Sequence, residues 1–292
     1  LLKSCQRIIA QLNSTADNRF DSIEIQVTSI QQPPFGEASM TMLENHQPEK
    51  AIACDLEESS NGGQPLQTLA IDIGGSGVKV MVLDEAGEPL TERDRVDTPQ
   101  PATPQAVLEA IQGLTEGKSF DRVSVGFPGV IRQGVTCTAA NLDASWIGFD
   151  LATALLQRLG KPTRVINDAD MQGLGAVAGH GVELVVTLGT GVGSALFLDG
   201  LLVPNLELGH HPFRKGETYE EQLGRAALDE VGKKRWNQRL EKAINTLDRF
   251  FNYDLLYLGG GNTKKIDLTL PKNVKIVPNI SGLLGGIALW KH

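Results

Sequence analysis

Residues 69–84 read L-A-I-D-I-G-G-S-G-V-K-V-M-V-L-D, and residues 184–199 read L-V-V-T-L-G-T-G-V-G-S-A-L-F-L-D. Each stretch is a β-rich apolar run, a glycine-packed turn and a second β-rich run, the pattern of a hairpin. Glycine tolerates positive φ and lets a ligand approach the main chain closely. Two such turns can therefore present backbone N–H groups to the two ends of one phosphate chain. A single glycine turn reads equally well as a hairpin without a ligand. A third cluster, Gly259-Gly260-Gly261, again follows a β-rich run, and three unrelated turns are a poorer explanation than one phosphate site.

Outward from these hairpins, the periodicity predicts strands at 68–73, 78–84 and roughly 90–97, a helix over 105–114 and a strand at 122–127. A helix over 150–159, a strand at 163–166 and an Ala/Gly-rich helix from 169 to about 179 complete a first lobe, 67–181. The second lobe, 182–292, repeats the theme with strands at 183–188, 193–198 and 201–203, helices at 218–230 and 234–250, strands at 254–258 and 273–277, and a last helix over 281–290 that can pack back on the first lobe. Two halves of β-β-β-α-β-α form imply an α/β fold of mixed sheets covered by helices, with a ligand in the cleft between lobes. Residues 1–66, with Q-Q-P-P-F-G at 31–36 and E-S-S-N-G-G-Q-P at 58–65, read as a mostly disordered N-terminal extension. A short amphipathic turn at 4–12 is incidental. Leu1 in place of a methionine, with Met40 and Met42 downstream, raises the expectation of an overextended reading-frame start.

Within 292 residues, 41% apolar and 21% charged, a sizeable core is available. A net charge of −8 disfavours non-specific nucleic-acid or membrane binding, so a polyanion needs a local basic patch. Cys5, Cys54 and Cys137 are too few and too scattered for a disulfide framework or a zinc cluster, which suits a reducing cytoplasm. No apolar run has the length of a membrane span, and the N-terminus is too polar for a secretory signal.

Two common nucleotide motifs fail. Gly117-Lys118-Ser119 resembles the end of a Walker A loop, but Gly113 precedes it by three intervening residues where the loop needs four. Neither glycine turn has the third glycine of a dinucleotide fingerprint, and neither opens a helix. What remains is Asp72-Ile73-Gly74-Gly75-Ser76-Gly77-Val78-Lys79. An acid at the end of a buried strand can hold the water around a Mg²⁺ ion that bridges phosphates, Ser76 can donate a hydrogen bond and Lys79 can supply charge. Gly189-Thr190-Gly191 repeats the loop. Asn167-Asp168 follows a strand and opens a helix. From the residues alone, Asp168 is either a helix N-cap or a carboxylate at the cleft able to accept the proton of an attacking hydroxyl. Asp170 reads as a first-turn helix acid.

D-I-G-G-S-G-V-K, N-D-A-D at 167–170, L-G-T-G-V-G-S, E-L-G-H at 207–210 and L-G-G-G at 258–261 together resemble the ROK family of sugar kinases, in the family's order over residues 68–290. The resemblance implies the duplicated actin-like, ribonuclease-H-like fold. It also implies that Asp168 is the general base, that Asn141, Asn167, Glu207 and His210 are sugar ligands, and that a further glutamate lies in the helix after Gly216. Glu220 and Glu221 both fit; Glu221 is preferred. Most members follow the E-x-G-H motif with a cysteine-rich zinc site. This chain reads His210-His211-Pro212-Phe213-Arg214-Lys215-Gly216 there, so no zinc is expected.

T-A-A-N-L-D-A-S-W-I-G at 138–148, N-L-E-L-G-H at 205–210 and V-P-N-I-S-G-L-L-G-G at 277–286 are similar to the zinc-less subgroup of glucokinases that use inorganic polyphosphate and often ATP. Lys233, Lys234, Arg235 and Arg239, with Lys242 beyond, form a basic cluster that reads either as a track for a long polyanion or as a solvated helix face. The resemblance thus implies a cytoplasmic, Mg²⁺-dependent glucokinase, expected as a homodimer. Its rivals are an ATP-dependent kinase for another hexose or an N-acetylhexosamine and, less favoured, a sugar-responsive regulator needing a DNA-binding motif before residue 67.

Overall fold

Inward-facing apolar residues alternate along every long strand of the hairpins, and that alternation decides which side chains face the cleft. The computed structural model describes residues 65–139, 142–278 and 281–291. They lie within one compact unit, Ser60–His292. The N-terminal extension, the 4–12 turn and Asn141 fall outside the described residues, apart from residues 65 and 66.

The first sheet is built from β1 (Thr68–Ile73), β2 (Val78–Leu83), β3 (Asp94–Val96), β4 (Arg122–Phe127) and, after the short pair β5 (Ile131–Arg132) and β6 (Val135–Thr136), β7 (Thr163–Asn167). Its order is β3-β2-β1-β4-β7, antiparallel across β3-β2-β1 and parallel across β1-β4-β7. The second sheet uses β8 (Val182–Leu188), β9 (Val192–Leu198), β10 (Leu201–Val203) and, beyond the small pair β11 (Pro212–Arg214) and β12 (Glu217–Thr218), β13 (Leu255–Gly259) and β14 (Val274–Ile276). Its order, β10-β9-β8-β13-β14, repeats the first with the same orientations. Two copies of one mixed sheet are the architecture expected from the duplicated hairpins. The actin-like, ribonuclease-H-like reading is thereby met.

Helices α1 (Pro104–Thr115) and α2 (Leu151–Leu159) cover one face of the first sheet. Leu69, Ile71 and Ile73 of β1 face them together with Val78, Val80 and Val82 of β2, over a buried Trp146 whose indole N–H donates to the Ala102 carbonyl. The other face of the same hairpin carries Ala70, Met81 and Leu83, which pack against Leu283 and Ile287 from the C-terminal α6 (Ser281–Leu284) and the 3₁₀ turn after it. The last helix therefore packs on the first sheet. In the second lobe α4 (Tyr219–Leu223) and α5 (Arg225–Phe251) cover Leu184, Val186 and Leu188, with Trp236 at the centre of that core.

Helix α3 (Asp168–Leu174) joins the two sheets. It ends five residues before the expected 179. Glu183 takes the N–H groups of Ala178, Gly179 and His180 on its carboxylate and the Tyr257 hydroxyl as well, so the chain there wraps an anion instead of continuing the ladder. The helix expected over 218–230 breaks at Gly224, whose extended backbone starts α5; Gly232, at φ +74°, then kinks α5 near the expected gap.

Close approach to α3 occurs at positions without a Cβ. A methyl on Gly126 of β4 would lie 2.9 Å from Met171 Cε and 3.2 Å from Asp168 Cα; one on Gly193 of β9 would lie 2.9 Å from Ala169 Cβ. A methyl on Gly173 would lie 2.5 Å from the Phe197 ring, and one on Gly285 would overlap the Met171 carbonyl oxygen. The lobes are also hooked directly. Asn205, at φ +61°, accepts from Ile131 N–H at 2.9 Å and donates to its carbonyl at 3.0 Å, while its own N–H donates to Asp170.

Gly173 and Gly113 give opposite expectations. Alanine at Gly113, exposed in α1 with nothing near its Cβ, stabilises by about 0.5–1 kcal/mol through helix propensity. Alanine at Gly173 has the same helical gain but must displace a buried ring, and overpacking at about 1–3 kcal/mol wins. Urea denaturation of both variants checks the ordering. Asp170 supplies a second expectation. Burial, with the charge of Glu207, raises its pKa to about 7, against the Asn205 hydrogen bond. The native state then holds a proton that the unfolded chain releases above about 4, so stability falls as pH rises toward 7. Asp170→Asn should melt above wild type at pH 8, with the gain shrinking toward pH 5; a gain independent of pH would sever it from the charge.

Candidate active site

Between the sheets lies a cavity of about 660 Å³ walled by both hairpin turns, the N-terminus of α3, the 207–210 turn and the Gly260-Gly261 turn. Asp72, Gly74, Gly75, Ser76, Lys79, Asn167, Asp168, Gly189, Thr190, Gly191, Glu207, His210, Gly260 and Gly261 all line it.

The first turn closes with Gly74 N–H donating to Gly77 O at 3.0 Å, and the second with Gly189 N–H donating to Gly191 O at 3.0 Å. The amides of Gly75, Ser76, Thr190 and Gly191 donate to no partner among the described residues, although all four residues line the cavity. Unpaired N–H groups in consecutive turn residues form an anion nest. Loop 189–191 is braced from behind: Asn262 Nδ2 donates to the Gly189 carbonyl, Arg225 N–H to the Thr190 carbonyl, and Val192 N–H to the Glu220 carboxylate.

Asp72 and Lys79 stand directly opposite on β1 and β2 and form an ion pair at 2.6 Å. Lys79 is in turn opposite Arg95 on β3, so an acid and two bases form one row across three strands. Arg95 donates to the Ser76 carbonyl at 2.9 Å and pairs with Asp97. Arg93, Arg95 and Arg225 also line the cavity. The sequence reading missed all three, although Arg93 and Arg95, two apart, share a face of the strand expected at roughly 90–97; the strand itself spans Asp94–Val96.

Asp168 is the first residue of α3, half-buried at the cavity wall, and its carboxylate accepts from Ala169 N–H at 2.8 Å. Burial is the main cause that lifts its pKa to about 7; the charges of Asp72, Glu207 and Asp170 push the same way, against the Ala169 hydrogen bond. The N-cap is Asn167 instead, whose amide oxygen accepts from Ala169 and Asp170 N–H while its nitrogen donates to the Gly129 carbonyl. That frees Asp168 from the capping role. Glu207 and His210 flank one 3₁₀ turn and contact each other at 3.1 Å. Ser194 ties the turn to β9 by donating to the Leu206 carbonyl and accepting from Leu208 N–H.

Several expected residues lie elsewhere. Glu221 is exposed and completes a capping box with Thr218, so its carboxylate is committed to the helix end; Glu220 is the glutamate at the cavity. The T-x-x-E spacing from Thr218 carried that signal. Gly77 does not reach the cavity wall; lacking a Cβ, it lets the Arg95 guanidinium pass over the turn. Gly259 is also off the wall, against Gln172. Lys233, Lys234, Arg235 and Arg239 do not line the cavity. Lys233 pairs with Asp267 at 2.9 Å, and Arg239 donates to the Gln222 carbonyl. Asn141 is outside the described residues.

The chain resembles proteins of one family throughout this region. The polyphosphate glucokinase of Mycobacterium tuberculosis is 33% identical over 234 residues, covering 74% of this chain and 88% of that one. The crystal structure of an inorganic polyphosphate/ATP-glucomannokinase from Arthrobacter sp. strain KM superposes with a TM-score of 0.70 at 39% identity, covering 78% of this chain and 99% of that one. A ROK family glucokinase from Streptomyces griseus, solved with glucose and AMPPNP, shares the fold at a TM-score of 0.63 and 20% identity, over 76% of this chain and 98% of its own. The ROK family model matches residues 68–218, and the chain belongs to the ROK family.

Proposed function

We propose that this protein is a phosphotransferase that moves a phosphoryl group from inorganic polyphosphate or ATP to the 6-hydroxyl of glucose, with Asp168 as general base. The observation that carries the reading is the meeting, in one cavity, of two anion nests and a carboxylate lifted to about 7, beside the Glu207–His210 pair. The relatives named above support the donor and the sugar.

In this reading Glu207, His210 and Glu220 hold sugar hydroxyls, groups that each donate and accept. Asp168 accepts the proton of the attacking hydroxyl. A carboxylate with a pKa near 7 is a stronger base than an ordinary one while remaining ionised in a useful fraction of molecules at neutral pH. The amides of Gly75, Ser76, Thr190 and Gly191 receive the donor's phosphate oxygens and stabilise charge as it redistributes. No cluster of three or more His, Cys, Asp or Glu among the described residues forms a metal cage. Mg²⁺ suits such a wall, being held by one or two carboxylates and by substrate phosphates, and Asp72 at the cavity is the carboxylate for it. The ion, when bound, neutralises phosphate charge. Lys79 pairs with Asp72 at 2.6 Å and holds its carboxylate at the cavity.

Asp168→Asn should reduce kcat by at least about a hundredfold, within the range of general-base contributions, with an unchanged circular dichroism spectrum. Appreciable residual turnover would remove Asp168 from the role. The sign of the pH dependence follows from the raised value. Below about 7 the base is protonated and inactive, so kcat/KM for glucose should climb with pH through an apparent pKa near 7 and then level. A limb near 4 would show that the carboxyl is an ordinary one. A purified-protein assay crossing glucose, mannose and N-acetylmannosamine with ATP and polyphosphates tests donor and acceptor together.

A further inference from the structure

Of the bases on the cavity wall, most are already engaged. Lys79 pairs with Asp72, Arg225 donates to Asn262 at 3.0 Å, and Arg95 divides its guanidinium between Ser76 O and Asp97. Arg93 also lines the cavity, is exposed, and makes no hydrogen bond or ion pair among the described residues. It immediately precedes β3, the edge strand of the first sheet, and lines the cavity together with Arg95. The opposite face there carries Asp94, which pairs with Lys118 at 2.6 Å. The row Asp72, Lys79, Arg95 thus runs from the first hairpin to the sheet edge and gains positive charge on the way, ending beside an unpaired guanidinium.

We infer that Arg93, with Arg95 behind it, receives the distal phosphates of a linear polyphosphate and that the chain leaves the cleft over the β3 edge, not along α5. The inference rests on the polyphosphate reading above and deepens it. ATP places three phosphates at the hairpins and ends in a nucleoside. A polyphosphate keeps one negative charge on every further unit, and an exposed arginine at the exit binds those units without reading anything else about the donor. In a protein of net charge −8 such a local patch is what allows a polyanion to settle.

The test compares kcat/KM for tripolyphosphate, long-chain polyphosphate and ATP at saturating glucose. Wild type should favour the long chain. Arg93→Glu should lower long-chain kcat/KM by about tenfold, lose progressively less as the chain shortens, and flatten the dependence on salt, since one phosphate contact fewer releases fewer counterions. Arg93→Lys should restore most of the long-chain rate. Lys234→Glu/Arg235→Glu, on α5, should keep the wild-type length preference. The inference is overturned if Arg93→Glu retains wild-type length preference, if all donors lose equally, or if the α5 double variant alone abolishes the preference. Absence of turnover with any polyphosphate in wild type, with ATP active, would instead remove the donor assignment on which the inference stands.

Discussion

Helix α3 is gripped between the two sheets at distances that no side chain would permit, and the rest of the site depends on that grip. Gly126 brings β4 against the helix at Asp168 and Met171, Gly193 brings β9 against Ala169, and Gly285 brings the C-terminal segment onto the Met171 carbonyl. Each contact exists because a Cβ is missing. The same contacts also bury the N-terminal turn, which is why the Asp168 and Asp170 carboxyls both sit near 7. Position and electrostatics are coupled here through packing: the contacts that fix the Asp168 carboxyl in place are the ones that desolvate it.

Holding an acid at a raised pKa is costly unless something offsets it, and the compensation is local. Asn167 caps the helix with both lone pairs of its oxygen, and the Ala169 N–H also serves the Asp168 carboxylate. Asp170 has one buried carboxylate oxygen with no partner among the described residues, while the other accepts from Asn205. Asn205 in turn hooks Ile131 of the other lobe. The hook and α3 thus tie the two lobes together beside the cavity.

Most of the fold was legible because hydrophobic alternation in strands of five to seven residues leaves little freedom of register. The strands at 68–73, 122–127 and 201–203 stand where the sequence put them. Helix ends were less legible, because the stop of α3 depends on Glu183 reaching back across a turn, a contact with no local signature. In the site, most of the residues fixed by motif reached the cavity, Gly77 and Gly259 excepted. Those chosen by charge density did not: four bases close together on α5 attract notice in sequence, whereas Arg93, Arg95 and Arg225 converge only once β3 and α5 are placed against the hairpins. Glu220 and Glu221 were adjacent and alike, and what separates them is a capping box, which is local and readable.

The two hairpins have diverged along lines that divide their labour. Asp72 stands opposite Lys79 across the first hairpin, whereas Thr187 stands opposite Gly193 across the second, whose turn is one residue shorter. In the first copy the pair is ionic and continues into Arg95, so that hairpin manages charge. In the second the Thr187 hydroxyl accepts from Gly193 N–H, and Ser194 anchors the turn that carries Glu207 and His210. One copy therefore concentrates charge at the cavity, and the other couples its own nest to the groups proposed to hold the acceptor. Without the Ser194 hydroxyl, the Leu206 carbonyl and the Leu208 N–H would lose the partner that ties their turn to β9. The second hairpin, uncharged at Thr187 and Gly193, is thus tied by hydroxyls where the first is tied by an ion pair.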